Sequence, residues 1–126
     1  MAVIQSFRDL KVYQAGRLQA ARLFERSQRF PREERYALTD QIRRSSRAVT
    51  AMIAEAWARR RYEAAFVNKI NEALGEAMET QAWLDHALDA GLLNAAEHHD
   101  FDTAWQSIGA MLHVMIQRAP TFTTPR

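Results

Sequence analysis

Apolar residues recur along this chain at three- and four-residue steps, and four stretches carry that helical rhythm. The first, residues 8–28, gathers Leu10, Val12, Tyr13, Gly16, Ala20, Leu23 and Phe24 on one broad face, with Lys11, Gln14, Arg22, Glu25 and Arg26 opposite. Phe30-Pro31 ends it, because a proline drives the residue before it out of the α region. After the link Arg32–Tyr36, Thr39 is the predicted N-cap of a second helix reaching about Arg60, and Asp40 suits its positive end. Leu38, Ile42, Val49, Met52, Ile53, Ala56 and Trp57 form its apolar stripe; Arg43, Arg44 and Arg47 stand on the other side. Asp40 has Arg43 and Arg44 within three or four residues, Glu55 has Arg59, and Arg47 has no such acid.

The third helix runs from about Tyr62 to Ala90 and stops at Gly91, the usual left-handed C-cap residue. Phe66, Ile70, Ala73, Ala77, Leu84 and Leu88 line it, Gln81 sits at the edge of that seam, and Glu72, Glu76 and Glu79 form an acidic face around Trp83. Asn94 and Glu97 have the spacing of a capping box for the fourth helix, whose seam is Phe101, Trp105, Ile108, Leu112 and Met115. Ala119-Pro120 closes it. No segment alternates with period two long enough for a strand. Short links force consecutive helices to run antiparallel. The pattern therefore predicts an all-α, up-down-up-down four-helix bundle over residues 1–119, followed by a loose tail, 120–126.

Composition narrows the setting. With 126 residues the chain holds one core. It has no Cys, which excludes disulfides, thiolate nucleophiles and thiolate-bound metals. No apolar run reaches the length of a membrane span and no secretion signal opens the chain, so a soluble cytoplasmic protein is expected. The net charge of +2 conceals a split. Residues 1–61 carry 14 basic and 6 acidic residues, a net +8, whereas residues 62–126 carry 3 and 9, a net −6. Nearly all the positive charge is Arg, the residue suited to bidentate phosphate or carboxylate contacts.

Several phrases in order resemble one family. Phe7, Asp9, Leu10, Val12 and Tyr13 fit its opening phrase, and Phe30-Pro31 fits its first link. Glu34, Tyr36, Leu38, Gln41, Ile42, Arg43 and Arg44 fit the next phrase; Ile53-Ala54-Glu55 with Arg59, and then Ala73, Gly75, Glu79 and Gly91, fall at its spacing. The chain thus resembles, over residues 7–93, the proteins first noticed as reading frames inside intervening sequences of bacterial 23S ribosomal RNA genes. Relatives of these serve as accessory proteins of diversity-generating retroelements. It departs where the family has Ser-Ile-Pro-Ser-Asn-Ile-Ala-Glu-Gly and this chain reads Ala48 to Ala56, so a more regular second helix is expected. The resemblance implies a four-helix bundle assembled as a ring, a homopentamer, with nucleic-acid binding in some relatives.

Candidate chemistry is sparse. Di-iron bundles need Glu-x-x-His pairs, but Trp83, Ala95, Ala96 and Ala110 precede His86, His98, His99 and His113 by three residues. The run His98-His99-Asp100 could hold a metal weakly as an exposed cluster, but it reads first as the polar start of helix four, and no metal or cofactor is expected. Ser45, Ser46 and Ser107 lie within helices and no glycine-rich phosphate loop exists, so no enzyme is expected. Glu55 and Glu79 suit an interhelical polar contact held by Arg or a hydroxyl.

The basic residues carry the functional expectation. Arg43, Arg44 and Arg47 on helix two, with Arg59, Arg60 and Arg61 at its end, form the candidate surface for RNA or DNA. Arg29, Arg32 and Arg35 in the link, and Lys11, Arg22 and Arg26 on helix one, flank it; Tyr36, Trp57 and Tyr62 are aromatic residues near enough to stack on bases, Trp57 falling at the edge of the apolar stripe. A competing use of the same charges is assembly, with Trp83, Glu72 and Glu79 of one protomer meeting the basic face of the next. The alternative function is a protein-interaction scaffold with incidental nucleic-acid binding.

Overall fold

A computed structural model of the chain describes residues 4–123, and every regular element among them is helical. Four long helices make the body: α1 (Lys11–Ser27), α2 (Asp40–Ala58), α3 (Glu63–Asp89) and α4 (Ala95–Gln117), followed by a short turn of helix, α5 (Ala119–Phe122). None is long and apolar enough to cross a membrane.

Pairs of touching residues give the topology. On α2, Ser45 meets Thr80 of α3 and Glu55 meets Lys69, so the partner number falls as the α2 number rises. The same inversion joins α3 to α4 through Gln81–Asp102 and Asp85–His98. It joins α1 to α2 through Gly16–Thr50 and Ser27–Arg43, and α1 to α4 through Arg22–Asp100 and Arg26–Glu97. The chain therefore reverses at each link, and the four helices enclose one core of Leu, Ile, Val, Phe, Ala and Trp side chains. Gly16 lets α1 and α2 approach: a Cβ there would lie 3.1 Å from the Thr50 methyl group.

The caps explain where elements start and stop. Ser6 and Asp9 form a capping box around a 3-10 turn, Phe7–Asp9, so α1 begins at Lys11, three residues later than the apolar pattern predicts. Phe7 packs edge-on against Tyr13, with ring centres 4.9 Å apart. Asn94 accepts from the Glu97 N–H at 2.8 Å while Glu97 accepts from the Asn94 N–H, as the sequence predicts for α4. Gly91 takes φ +75°, with Gly91 N–H bonded to Leu88 C=O and Leu92 N–H to Ala87 C=O. That is the Schellman closure, and it reserves the position for glycine.

Two local expectations are corrected. Thr39 is not an N-cap: it has helical φ and ψ, is buried and makes no capping bond. Helical structure starts after extended Pro31, as a 3-10 turn over Arg32–Glu34 and a π turn over Arg35–Thr39, and runs straight into α2. Pro31 lacks an N–H and has a pre-set φ, which suits a helix start, whereas Thr39 sits eight residues inside. The tail is not loose as far as Phe122. Ala119 is buried, and the Phe122 ring lies nearly parallel to that of Phe66, 6.2 Å away. Residues 124–126 lie outside the described residues, as do 1–3.

The seam of α4 is as predicted, with all five of its residues buried. In α3, Phe66, Ile70, Ala73, Ala77 and Leu84 are buried as predicted and Thr80 and Ala87 join them, while Leu88 is only half-buried. In α2, Ser45 and Ser46 are buried between Ile42 and Val49, while Met52 and Trp57 lie at the edge.

Candidate functional site

The basic residues divide according to which helix they face. Arg22 and Arg26 on α1 turn to α4, where they pair with Asp100 and Glu97. Arg26 also donates to the Leu92 carbonyl at 2.7 Å. Its guanidinium, followed by the Asn94 N–H, holds the Glu97 carboxyl down at about 2, and Glu97 in turn raises the Arg26 pKa.

Arg44 on α2 turns to α3. It donates to both Glu76 oxygens, at 3.0 and 3.1 Å, and to Glu79, which also accepts from Trp83 Nε1 at 3.1 Å. Glu76 first, then Glu79, raises the Arg44 pKa. Lys69 lies between Glu55 at 3.0 Å and Glu72 at 3.1 Å, and its pKa is raised by Glu55 and then Glu72. One residue of the candidate nucleic-acid surface, Arg44, and three of the candidate assembly residues, Glu72, Glu79 and Trp83, are thus engaged along the α2–α3 seam of a single chain. Glu79 takes the expected interhelical Arg, Arg44, whereas Glu55 meets a Lys, Lys69, rather than an Arg or a hydroxyl, and both contacts lie at the rim rather than in the interior. Glu55 meets Lys69 on the next helix instead of Arg59 on its own.

The α1–α2 seam differs because both helices are basic. Arg43 and Arg47 project there over Phe24 of α1, their guanidinium carbons 4.7 and 5.1 Å from its ring centre. Arg43 Nε donates to Ser27 Oγ at 2.8 Å, and Ser27 Oγ donates to the Phe24 carbonyl. Neither arginine pairs with a carboxylate among the described residues. Two guanidinium groups are therefore held over one ring without charge compensation, an arrangement that orients their remaining N–H donors for an anion. Phe24, which the apolar pattern places on the inner face of helix one, is 38% exposed and forms the floor under these cations.

Arg59, Arg60 and Arg61 follow the end of α2 as expected. Arg60 lies 4.2 Å over the half-buried Trp57 ring and donates to the Trp57 carbonyl; Arg59 and Arg61 are exposed. Tyr36 is exposed beside Arg35, 5.5 Å from its guanidinium, and Tyr62 is exposed just before α3. The run His98-His99-Asp100 is split: His98 meets Asp85, Asp100 meets Arg22, and His99 is exposed.

The interior holds one polar contact that sequence reasoning missed. Ser45 and Thr80 are both fully buried, and their hydroxyl oxygens lie 2.8 Å apart. Trp105 is fully buried too, and its Nε1–H alone finds no acceptor among the described residues.

Fold and surface together define a small helical bundle with an arginine seam that meets no carboxylate among the described residues. The chain belongs to the 23S rRNA-intervening sequence protein family, which it matches over residues 8–114. It is similar to a crystal structure from Bacteroides thetaiotaomicron, described as a protein with unknown function from the S23 ribosomal protein family. The two share 26% sequence identity and superpose with a TM-score of 0.76, over 84% of this chain and 95% of that one. No curated protein matches.

Proposed function

We propose that this chain is a non-enzymatic, self-assembling protein that binds nucleic acid through backbone phosphates, using the α1–α2 seam. The observation that carries this reading is the pair Arg43 and Arg47, fixed over Phe24 with no carboxylate partner among the described residues. A phosphate approaching that seam meets two oriented fork-shaped donors and displaces no internal salt bridge. Arg59, Arg60 and Arg61 extend the positive surface past the end of α2, and exposed Tyr36 offers a stacking face. Arg44 contributes little, because Glu76 and Glu79 already neutralise it. Selectivity then rests on backbone charge and shape, with assembly multiplying a modest contact. Binding of a labelled hairpin RNA and of a duplex DNA, measured across a salt series, tests this. The reading expects affinity for at least one to fall steeply and linearly on logarithmic axes. A salt-independent signal, or none, contradicts it.

A second reading is supported by the outer face of α3, where Met78 is 59% exposed close to Gly75. An exposed methionine on a helix whose Glu72, Glu76 and Glu79 are already paired internally suits a subunit or partner contact. In this reading the family resemblance supplies the homopentamer, and a protein partner docks on the ring.

A further inference from the structure

We propose that Asp85, His98 and Asp102 form a binding site for a divalent first-row transition metal across the seam between α3 and α4. His98 and Asp102 are four residues apart on α4 and therefore project from one face, while Asp85 reaches them from the last turns of α3. One donor atom from each lies within 4.8 Å of the others. Metal–nitrogen and metal–oxygen bonds of about 2.0–2.2 Å at tetrahedral to trigonal angles place the donors of one ion about 3.3–3.8 Å apart. Closing the triad on an ion thus requires the donors to draw together by roughly an ångström, a distance that side-chain torsions of exposed Asp85 and half-buried His98 and Asp102 span.

Neighbouring side chains hold the donors close to one another. His98 Nε2 and Asp85 Oδ1 are 2.8 Å apart and share a hydrogen, which an ion replaces. Asp102 Oδ1 accepts from Gln81 Nε2 at 3.1 Å, a supporting contact that orients the carboxylate from behind. Gln106 accepts from the same Gln81 amide at 3.0 Å and holds it in turn. The link between α3 and α4 is fixed by the Gly91 closure and the Asn94 capping box, so the two sides of the site are held in register. One imidazole and two carboxylates, without a thiolate, select zinc, cobalt, nickel or copper over calcium and magnesium. Three protein donors leave a further position open to water or to another ligand. The site lies on α3 and α4, whereas the arginine seam lies on α1 and α2, so neither proposal depends on the other.

The test is calorimetric titration of the chelator-stripped 126-residue chain with zinc chloride, repeated with cobalt chloride while the visible absorption is followed. The expected result is one saturable ion per chain, with a cobalt d–d band, and a tenfold or greater weakening in both His98→Ala and Asp102→Asn. His99→Ala retains wild-type binding. If His98→Ala proves poorly folded by circular dichroism, Asp102→Asn decides, since its side-chain carbonyl still accepts from Gln81. No saturable binding overturns the proposal. So does binding that survives Asp102→Asn unchanged, or that His99→Ala abolishes.

Discussion

Ser45 of α2 and Thr80 of α3 face each other at the centre of the bundle, their hydroxyl oxygens 2.8 Å apart and both residues fully buried. Thr80 Oγ1 donates to the Glu76 carbonyl at 3.0 Å, whereas Ser45 Oγ has only a 3.4 Å alternative at Ile42. The shortest chain of donors therefore runs from Ser45 to Thr80 to the α3 backbone. Such a pair sets the register of two helices that are otherwise lined by interchangeable apolar groups.

A buried hydroxyl left without its partner costs about 1–3 kcal/mol, while removing both partners together is nearly neutral. Thr80→Val, which strands Ser45, is accordingly more destabilising than the double variant Ser45→Ala/Thr80→Val. Urea unfolding at fixed protein concentration reads the difference, and strictly additive losses would contradict the pairing.

The Arg26–Glu97 contact makes a prediction about acid. Glu97 is held at about 2, below the ordinary 4.5 of its carboxyl, so the folded state releases that proton more readily than the unfolded chain. The resulting stability is fully present above the unfolded value and is lost as pH falls from about 4.5 towards 2. Glu97→Gln should lower the melting temperature at neutral pH and flatten its decline through that window. A variant with the same acid slope as the parent would show that Glu97 is not the group responsible.

Two glycines respond in opposite directions. Gly75 is exposed within α3 and nothing lies within 4 Å of a Cβ built there, so Gly75→Ala is expected to stabilise by about 0.5–1 kcal/mol. At Gly16 even a Cβ is tight against Thr50, and the further atoms of Gly16→Val have no space between α1 and α2. That substitution should destabilise by roughly 1–3 kcal/mol. Thermal unfolding of both variants compares them, and a tolerated valine at position 16 would mean that the two helices are not in close contact.

Assembly through the outer face of α3 predicts that Met78→Asp lowers the mass measured by light scattering while the helical signal persists. Trp83→Ala tests the aromatic residue expected at the assembly contact, and it also removes the donor to Glu79. An unchanged mass in Met78→Asp would remove that face from the assembly reading.

The parts legible in the sequence depend on local spacing. Phe101, Trp105, Ile108, Leu112 and Met115 all enter the core as their period requires, and Gly91 and Asn94 mark helix ends through backbone chemistry confined to a few residues. Contacts between distant segments were not legible. Arg44 reaches Glu76 and Glu79 more than thirty residues away, so its neutralisation depends on the packing of α2 against α3. Leu23 and Phe24 are neighbours roughly 100° apart on the helix, and only packing decided that Leu23 turns inward while Phe24 supports two arginines. Ser45 and Thr80 looked like ordinary polar residues because a helix can satisfy a hydroxyl from its own carbonyls. Thr39 looked like a cap because the helical start at Pro31 continues through a π turn with no sequence mark that periodicity detects.

The central claim is that anionic nucleic acid is held by the cations over Phe24. Fluorescence anisotropy with one hairpin RNA and one duplex DNA, on Arg43→Ala/Arg47→Ala beside Arg44→Ala, addresses it most directly. The account predicts a tenfold or greater loss in the double variant with its oligomeric mass intact, and a salt slope reduced by about 1 for each lost phosphate contact. Arg44→Ala stays close to the parent. Wild-type affinity in the double variant, or a loss confined to Arg44→Ala, would contradict the account.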